Sequence, residues 1–165
     1  MLKVLLFSLM AMAHSDHSAH NQSAHVHGAG KVSLAFDGKK GKLEFHAPAE
    51  SIYGFEHAAK SKKDKQKKEA ALSKLGEKIS EMVVLDPALK CEIKLDMYEV
   101  IEKKNHSDVE GEFNISCEAP VAGSTITFNF QKVFPRLKKV QVEVLADQVQ
   151  KSLEVGKNGE TLELK

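Results

Sequence analysis

The chain has no tryptophan, two tyrosines and one arginine, Arg136, among 165 residues. A single guanidinium leaves little for clamping phosphate or carboxylate groups. Basic and acidic residues nearly cancel, to a formal net charge of +1. That balance excludes the electrostatic footprint of a nucleic-acid binder or an anionic-membrane binder. Long apolar runs are absent too. The longest, Val4 to Ala13, is about ten residues, half of what a bilayer-spanning helix needs. Cysteine is scarce, with Cys91 and Cys117 alone and no C-x-x-C pair, which argues against a thiolate zinc site or a thioredoxin-like motif. Catalytic signatures are missing as well: no H-E-x-x-H, no G-x-S-x-G, no P-loop and no G-x-G-x-x-G after a strand. An enzyme is not expected.

What is present begins with the N-terminus. Lys3, the short apolar run and the small-residue pattern Ala11-Met12-Ala13 together read as a secretory signal peptide over 1–13, cleaved before His14. No cysteine follows it, so a lipid anchor is unsupported. The mature chain is expected to be exported, without stable membrane insertion. In an exported chain an even cysteine count favours a disulfide. Free thiols are the alternative.

Residues 14–29 read as a mobile tail. Ser, Ala, Asn, Gln and His dominate, and little apolar surface is available to offset the ordering entropy. Beyond it, 30–165 reads as a single domain. Val32, Leu34 and Phe36, then Leu43 and Phe45, alternate with polar residues around the turn-forming Asp37-Gly38-Lys39-Lys40-Gly41, which predicts a β-hairpin. Leu72, Leu75, Ile79 and Met82 form one apolar stripe, predicting a helix from about Lys62 to Met82 with Ser61 as N-cap. Glu92 to Ile101 alternates imperfectly and Val109 to Cys117 cleanly, predicting a second hairpin with the two cysteines at its outer ends, where antiparallel pairing would join them. Thr125 to Phe130, Val140 to Val144 and Val149 to Val155 read as further strands. Asn158-Gly159, a hairpin signal, precedes a last strand with Leu162 and Leu164. The sum is α+β: an antiparallel sheet of short hairpin-connected strands with one main helix packed on a face.

Histidine is the outstanding chemical feature. Five of the eight lie in the tail: His14, His17, His20, His25 and His27, with Asp16 among them. Neutral imidazole binds borderline ions such as Zn²⁺, Cu²⁺ and Ni²⁺. His14, His17 and His20 would share a helix face, and His25 and His27 one side of an extended segment. His57 stands beside Glu56, and His106 stands near Asp108 at the tip of the second hairpin. Each offers an imidazole with a carboxylate neighbour. His46 projects opposite Leu43 and Phe45 and ranks below them. The Lys60 to Lys68 run, diluted by Asp64 and without interleaved aromatics, reads as a solvated helix face.

Four stretches carry a resemblance: His25-Val26-His27-Gly28; Ser51-Ile52-Tyr53-Gly54-Phe55-Glu56-His57-Ala58; His106-Ser107-Asp108-Val109-Glu110-Gly111-Glu112-Phe113 before Cys117; and Phe134-Pro135 before the Val140-Val142-Val144 strand. In this order and spacing they resemble the ZrgA family of periplasmic zinc-binding proteins, over essentially the whole mature chain. The resemblance implies a periplasmic accessory protein of bacterial zinc uptake, working beside an ABC-type importer. Carried over, the zinc ligands are His25, His27, His57, His106 and Asp108. Many relatives carry a long His/Asp/Glu-rich insert between the two cysteines. Here only Glu102 to Asn105 stands in its place, and His106 is the sole histidine of that region. The competing expectation is an envelope protein-interaction domain whose histidines are incidental.

Overall fold

A computed structural model describes residues 28–165. The segment expected to be a signal peptide, and the tail histidines His14, His17, His20, His25 and His27, lie outside the described residues.

Strands β1 (Ala29–Asp37) and β2 (Lys40–Pro48) form the first hairpin. Gly38, at φ 56°, takes the left-handed first position of its two-residue turn, which glycine adopts without steric cost. A short helix, α1 (Ala49–Tyr53), follows where the sequence showed no period, and ends at Gly54 with φ 93°. The main helix, α2 (Lys62–Met82), spans the expected residues. The Ser61 hydroxyl accepts the Asp64 backbone N–H at 3.1 Å and donates to the Asp64 carboxylate at 2.6 Å. This satisfies one of the N–H groups a helix start leaves open. Leu72, Leu75, Ile79 and Met82 are its buried stripe.

After α2 come β3 (Val83–Leu85), a 3₁₀ turn at Pro87–Leu89, and the hairpin β4 (Glu92–Glu102) with β5 (Ser107–Ser116). The imperfect alternation of β4 has a cause. The ladder register shifts between Leu95 and Met97, so the residues after the bulge exchange faces. Cys91 and Cys117 are bonded at the open end of this hairpin. Then follow β6 (Thr125–Phe128), a one-turn α3 (Phe130–Val133), β7 (Lys139–Ala146), β8 (Val149–Val155) and β9 (Glu160–Glu163).

The strands form a six-stranded sheet in the order β4-β5-β2-β1-β7-β8 and a three-stranded sheet in the order β3-β6-β9. The α+β class holds, with a dominant 21-residue helix packed on the large sheet. All its ladders are antiparallel except β1 with β7, which run parallel. Asn158-Gly159 does not close a hairpin, since β8 and β9 belong to different sheets. Gly159 is at φ 86°, and its N–H donates to the Asn129 side chain, while the Asn158 side chain accepts the Lys132 N–H. The turn serves the crossing between sheets rather than a local ladder.

The core lies between the large sheet and α2. Val32, Leu34, Phe45, Phe113, Val142 and Val144 point into it from the strands. Phe45, Phe113, Phe128 and Phe130 are fully buried, and each such side chain stabilises by roughly 2–3 kcal/mol. The opposite face of the large sheet carries Lys31, Ser33, Lys42, Glu44, His46, Glu110 and Glu112, none of them buried. That division is what the period-two pattern encodes.

Candidate metal-binding corner

One end of the large sheet gathers the chemically active groups. β1 starts there, β2 ends there, β4 ends there and β5 starts there, because β2 pairs antiparallel with both β1 and β5, and β4 pairs antiparallel with β5. Asp108, the second residue of β5, sits opposite Pro48 of β2 and Ile101 of β4. Its side chain is 1% exposed, unlike those of Glu110 and Glu112 further along the same strand.

Among the described residues, three nitrogens face Asp108 Oδ2. Lys103 Nζ is at 3.3 Å, His106 Nε2 at 3.7 Å and His46 Nε2 at 3.9 Å. A buried carboxylate is tolerable only with such company. His106 and Lys103 bound the β4–β5 turn, closed by the Lys103 N–H donating to the His106 carbonyl at 2.8 Å. His46 reaches the carboxylate from the outer face of β2. Its register partner is Glu110, so Asp108 lies diagonally across the ladder.

His57 is placed differently. It lies exposed in the loop after α1, its ring stacked on Phe55 with centroids 4.6 Å apart, and its Nδ1 is 3.1 Å from the Ala58 carbonyl. Phe55 in turn tilts against Tyr53 at 4.7 Å. This loop is fastened to the corner, since the Ser107 hydroxyl donates to the Glu56 carbonyl at 2.8 Å. His57 and His106 thus belong to adjoining segments of chain, each next to a residue of that hydrogen bond. Arg136 also packs here; a β-carbon on Gly54 would lie 2.8 Å from its Nη1. Glycine is required at that approach twice over, for its positive φ and for the space.

The acidity of the corner registers on Tyr53. Burial, chiefly, together with the nearby carboxylates of Glu102, Glu56 and Asp108, pushes its phenol up to about 12, partly offset by its hydrogen bond with Ser107.

Among the described residues, no group of three or more His, Cys, Asp or Glu side chains stands ready to hold a metal ion. His46, His106 and Asp108 lie at ion-pair separations, not in a formed coordination shell. The histidines of the tail lie outside the described residues, but Gly28, where the described chain begins, leads directly into β1 at this same end. Sequence reasoning placed His106 and Asp108 together. His46, ranked below them, also faces that carboxylate; its outer-face position at the end of β2 was visible, but its register against β5 was not. Sequence reasoning did not single out Lys103.

The fold and this corner define a small α+β protein that presents imidazoles and a carboxylate at one end of a one-faced sheet. The chain belongs to the ZrgA family: the model described as ZrgA family zinc uptake protein matches residues 24–164. It therefore stands among transport-associated proteins rather than among enzymes. No curated protein matches the chain. No helix of the described residues is long and apolar enough to cross a membrane.

Proposed function

We propose that this protein is a periplasmic zinc-binding protein that captures zinc through histidines and passes it to an ABC-type importer, after export by a signal peptide over 1–13. The observation that carries the reading is the meeting of His46 and His106 on buried Asp108, in a member of a zinc-uptake family, at the sheet end where the chain arrives from the His-rich tail. Zinc is cargo here. It is held by His46, His106 and Asp108, with further donors from His25 and His27, while His14, His17, His20 and the exposed His57 collect it loosely. A flexible tract binds weakly because ordering the chain subtracts from affinity. An ordered corner with few pre-placed donors binds more tightly, yet stays incomplete enough to surrender the ion by ligand exchange. The same donor set accepts Cu²⁺ or Ni²⁺, and the affinity order places copper above zinc.

The test is zinc titration of chain 14–165 against a competing chelator. Deleting residues 14–27 should remove most of the capacity. The variants H46A, H106A and D108N should remove the tightest site. A proton competes with zinc for each imidazole, so affinity should also fall between about pH 7.5 and about pH 5. Unchanged binding by all these variants would overturn the reading.

A second reading, an envelope protein-interaction domain with incidental histidines, has one observation in its favour. The edge strand β4 exposes Leu95, Met97 and Tyr98, and an open sheet edge with apolar side chains is a ready surface for pairing. Under that reading, zinc-limited growth is indifferent to the histidine variants and sensitive to charged substitutions at Met97 and Tyr98.

A further inference from the structure

We propose that Lys103 is a displaceable counter-cation of the Asp108 corner, and that a divalent ion enters by taking the place of its ammonium on the carboxylate. The inference rests on the zinc-binding reading above and adds to it a mechanism of entry and release.

Of the three described nitrogens facing Asp108 Oδ2, Lys103 Nζ is the nearest, at 3.3 Å, and it is the one that belongs to an ammonium rather than an imidazole. The imidazoles are charged only when protonated. The ammonium therefore sits where a metal would bind the oxygen. Its neighbours are already close to metal-sharing distances. Donors held ~2.0–2.2 Å from one tetrahedral ion stand about 3.4 Å apart, and His106 Nε2 and His46 Nε2 are 3.7 and 3.9 Å from that oxygen.

The two partners differ in freedom. Asp108 is locked within β5, between β2 and β4, and is 1% exposed. Lys103 is 49% exposed on a turn, and its backbone N–H, not its side chain, closes that turn on the His106 carbonyl. Its four-carbon stem can swing into water without breaking the turn. Exchange of the ammonium for a divalent ion adds one positive charge to the corner. Glu102 and Glu56, whose charges reach the Tyr53 phenol, keep this end of the sheet acidic, Glu102 being shared with Lys68 Nζ at 3.5 Å.

The exchange also runs backwards. When the ion leaves, the ammonium returns, so the buried carboxylate is never left bare. An uncompensated buried charge would hold on to any cation. A built-in competitor lowers affinity and eases release, which suits a protein that must hand its cargo on.

The experiment uses chain 14–165, the variants K103M and K103R, and chelator competition for zinc. K103M removes the competitor and should tighten the corner's zinc affinity about tenfold, the effect of losing one charge-assisted hydrogen bond. K103R places a fork-shaped guanidinium on the same carboxylate and should loosen it. In a D108N background both should have no effect. Independently, the acylation rate of the Lys103 amine, followed by peptide mass spectrometry, should rise several-fold in the wild-type chain as zinc saturates, and not in D108N. This readout stands even where K103M folds poorly. Unchanged affinity in K103M and K103R, a shift of both in the same direction, or a Lys103 reactivity indifferent to zinc each overturns the proposal. If those results come while H46A, H106A and D108N still lose the tight site, only the displacement fails. If the three site variants bind like wild type, the zinc corner itself fails.

Discussion

The imidazole of His46 and the carboxylate of Asp108 lie diagonally across the β2–β5 ladder, with Nε2 3.9 Å from Oδ2. No local pattern connects them. They meet because β5 pairs with β2 on one side as well as with its hairpin partner β4 on the other. Under the zinc-binding proposal, this relationship puts the centre of the site on the sheet, away from His57, which stacks on Phe55 in an exposed loop.

That shift makes the histidines separable. H46A and H106A should each weaken the tightest zinc site by at least about tenfold, the usual cost of losing a ligand or its close supporting group. H57A should change it less than about threefold. Chelator-competition titrations on the three variants check this, and equal losses in all three would return His57 to the centre.

The disulfide gives a stability prediction. Cys91 and Cys117 close a separation of 26 residues, for which the chain-entropy model gives about 3 kcal/mol. Urea unfolding with and without reductant, or of C91A/C117A, should show a loss of that order with the fold retained. The bond joins strands already paired in a ladder, so it should not be needed to form the sheet.

Tyr53 predicts an alkaline limb. Its phenol is pushed up to about 12 in the folded state, against an ordinary value of about 10. Below pH ~10 both states keep the proton and the folded state holds its full advantage. Between about 10 and 12 the unfolded chain loses the proton first, so stability falls with rising pH. The fall is at most about 2–3 kcal/mol. Denaturant titrations at several alkaline pH values should show the slope reduced in Y53F, and an identical slope in the variant would count against the buried phenol as its source.

Two glycines of the first hairpin should respond differently to alanine. At Gly41 a β-carbon would lie 2.5 Å from the Phe36 ring and 2.8 Å from the Ala35 carbonyl, so G41A should cost roughly 2–3 kcal/mol by overpacking. At Gly38 nothing lies within 4 Å, but φ is 56°. G38A should therefore cost about 1 kcal/mol, from backbone strain alone. Thermal unfolding of both variants distinguishes steric from conformational cost.

Much of this molecule was legible residue by residue. The Ser61 cap and the stripe Leu72, Leu75, Ile79, Met82 marked α2 at both ends, because capping and helical period act over a few residues. Alternation marked the strands other than the three-residue β3, though it ran on to Phe130, which instead begins α3, and the paired alternation of β4 and β5 foretold the bond between Cys91 and Cys117. Other features escaped. A helix formed over Ala49–Tyr53, too short to show a period. Asn158-Gly159 has the chemistry of a hairpin turn, yet long-range pairing drew β8 and β9 into different sheets. Lys103 looked like one more polar turn residue until the fold set it on a buried carboxylate.

By itself the sequence determined which residues turn inward, where the long helix starts and stops, and that histidine is the chemistry on offer. Those properties depend on neighbours a few positions away. The strand order, the parallel meeting of β1 with β7 and the gathering of His46, Lys103, His106 and Asp108 at one sheet end were decided only by tertiary structure. Period two says which face a side chain takes but not which strand will lie beside it, and that choice is made by burying all the apolar faces together.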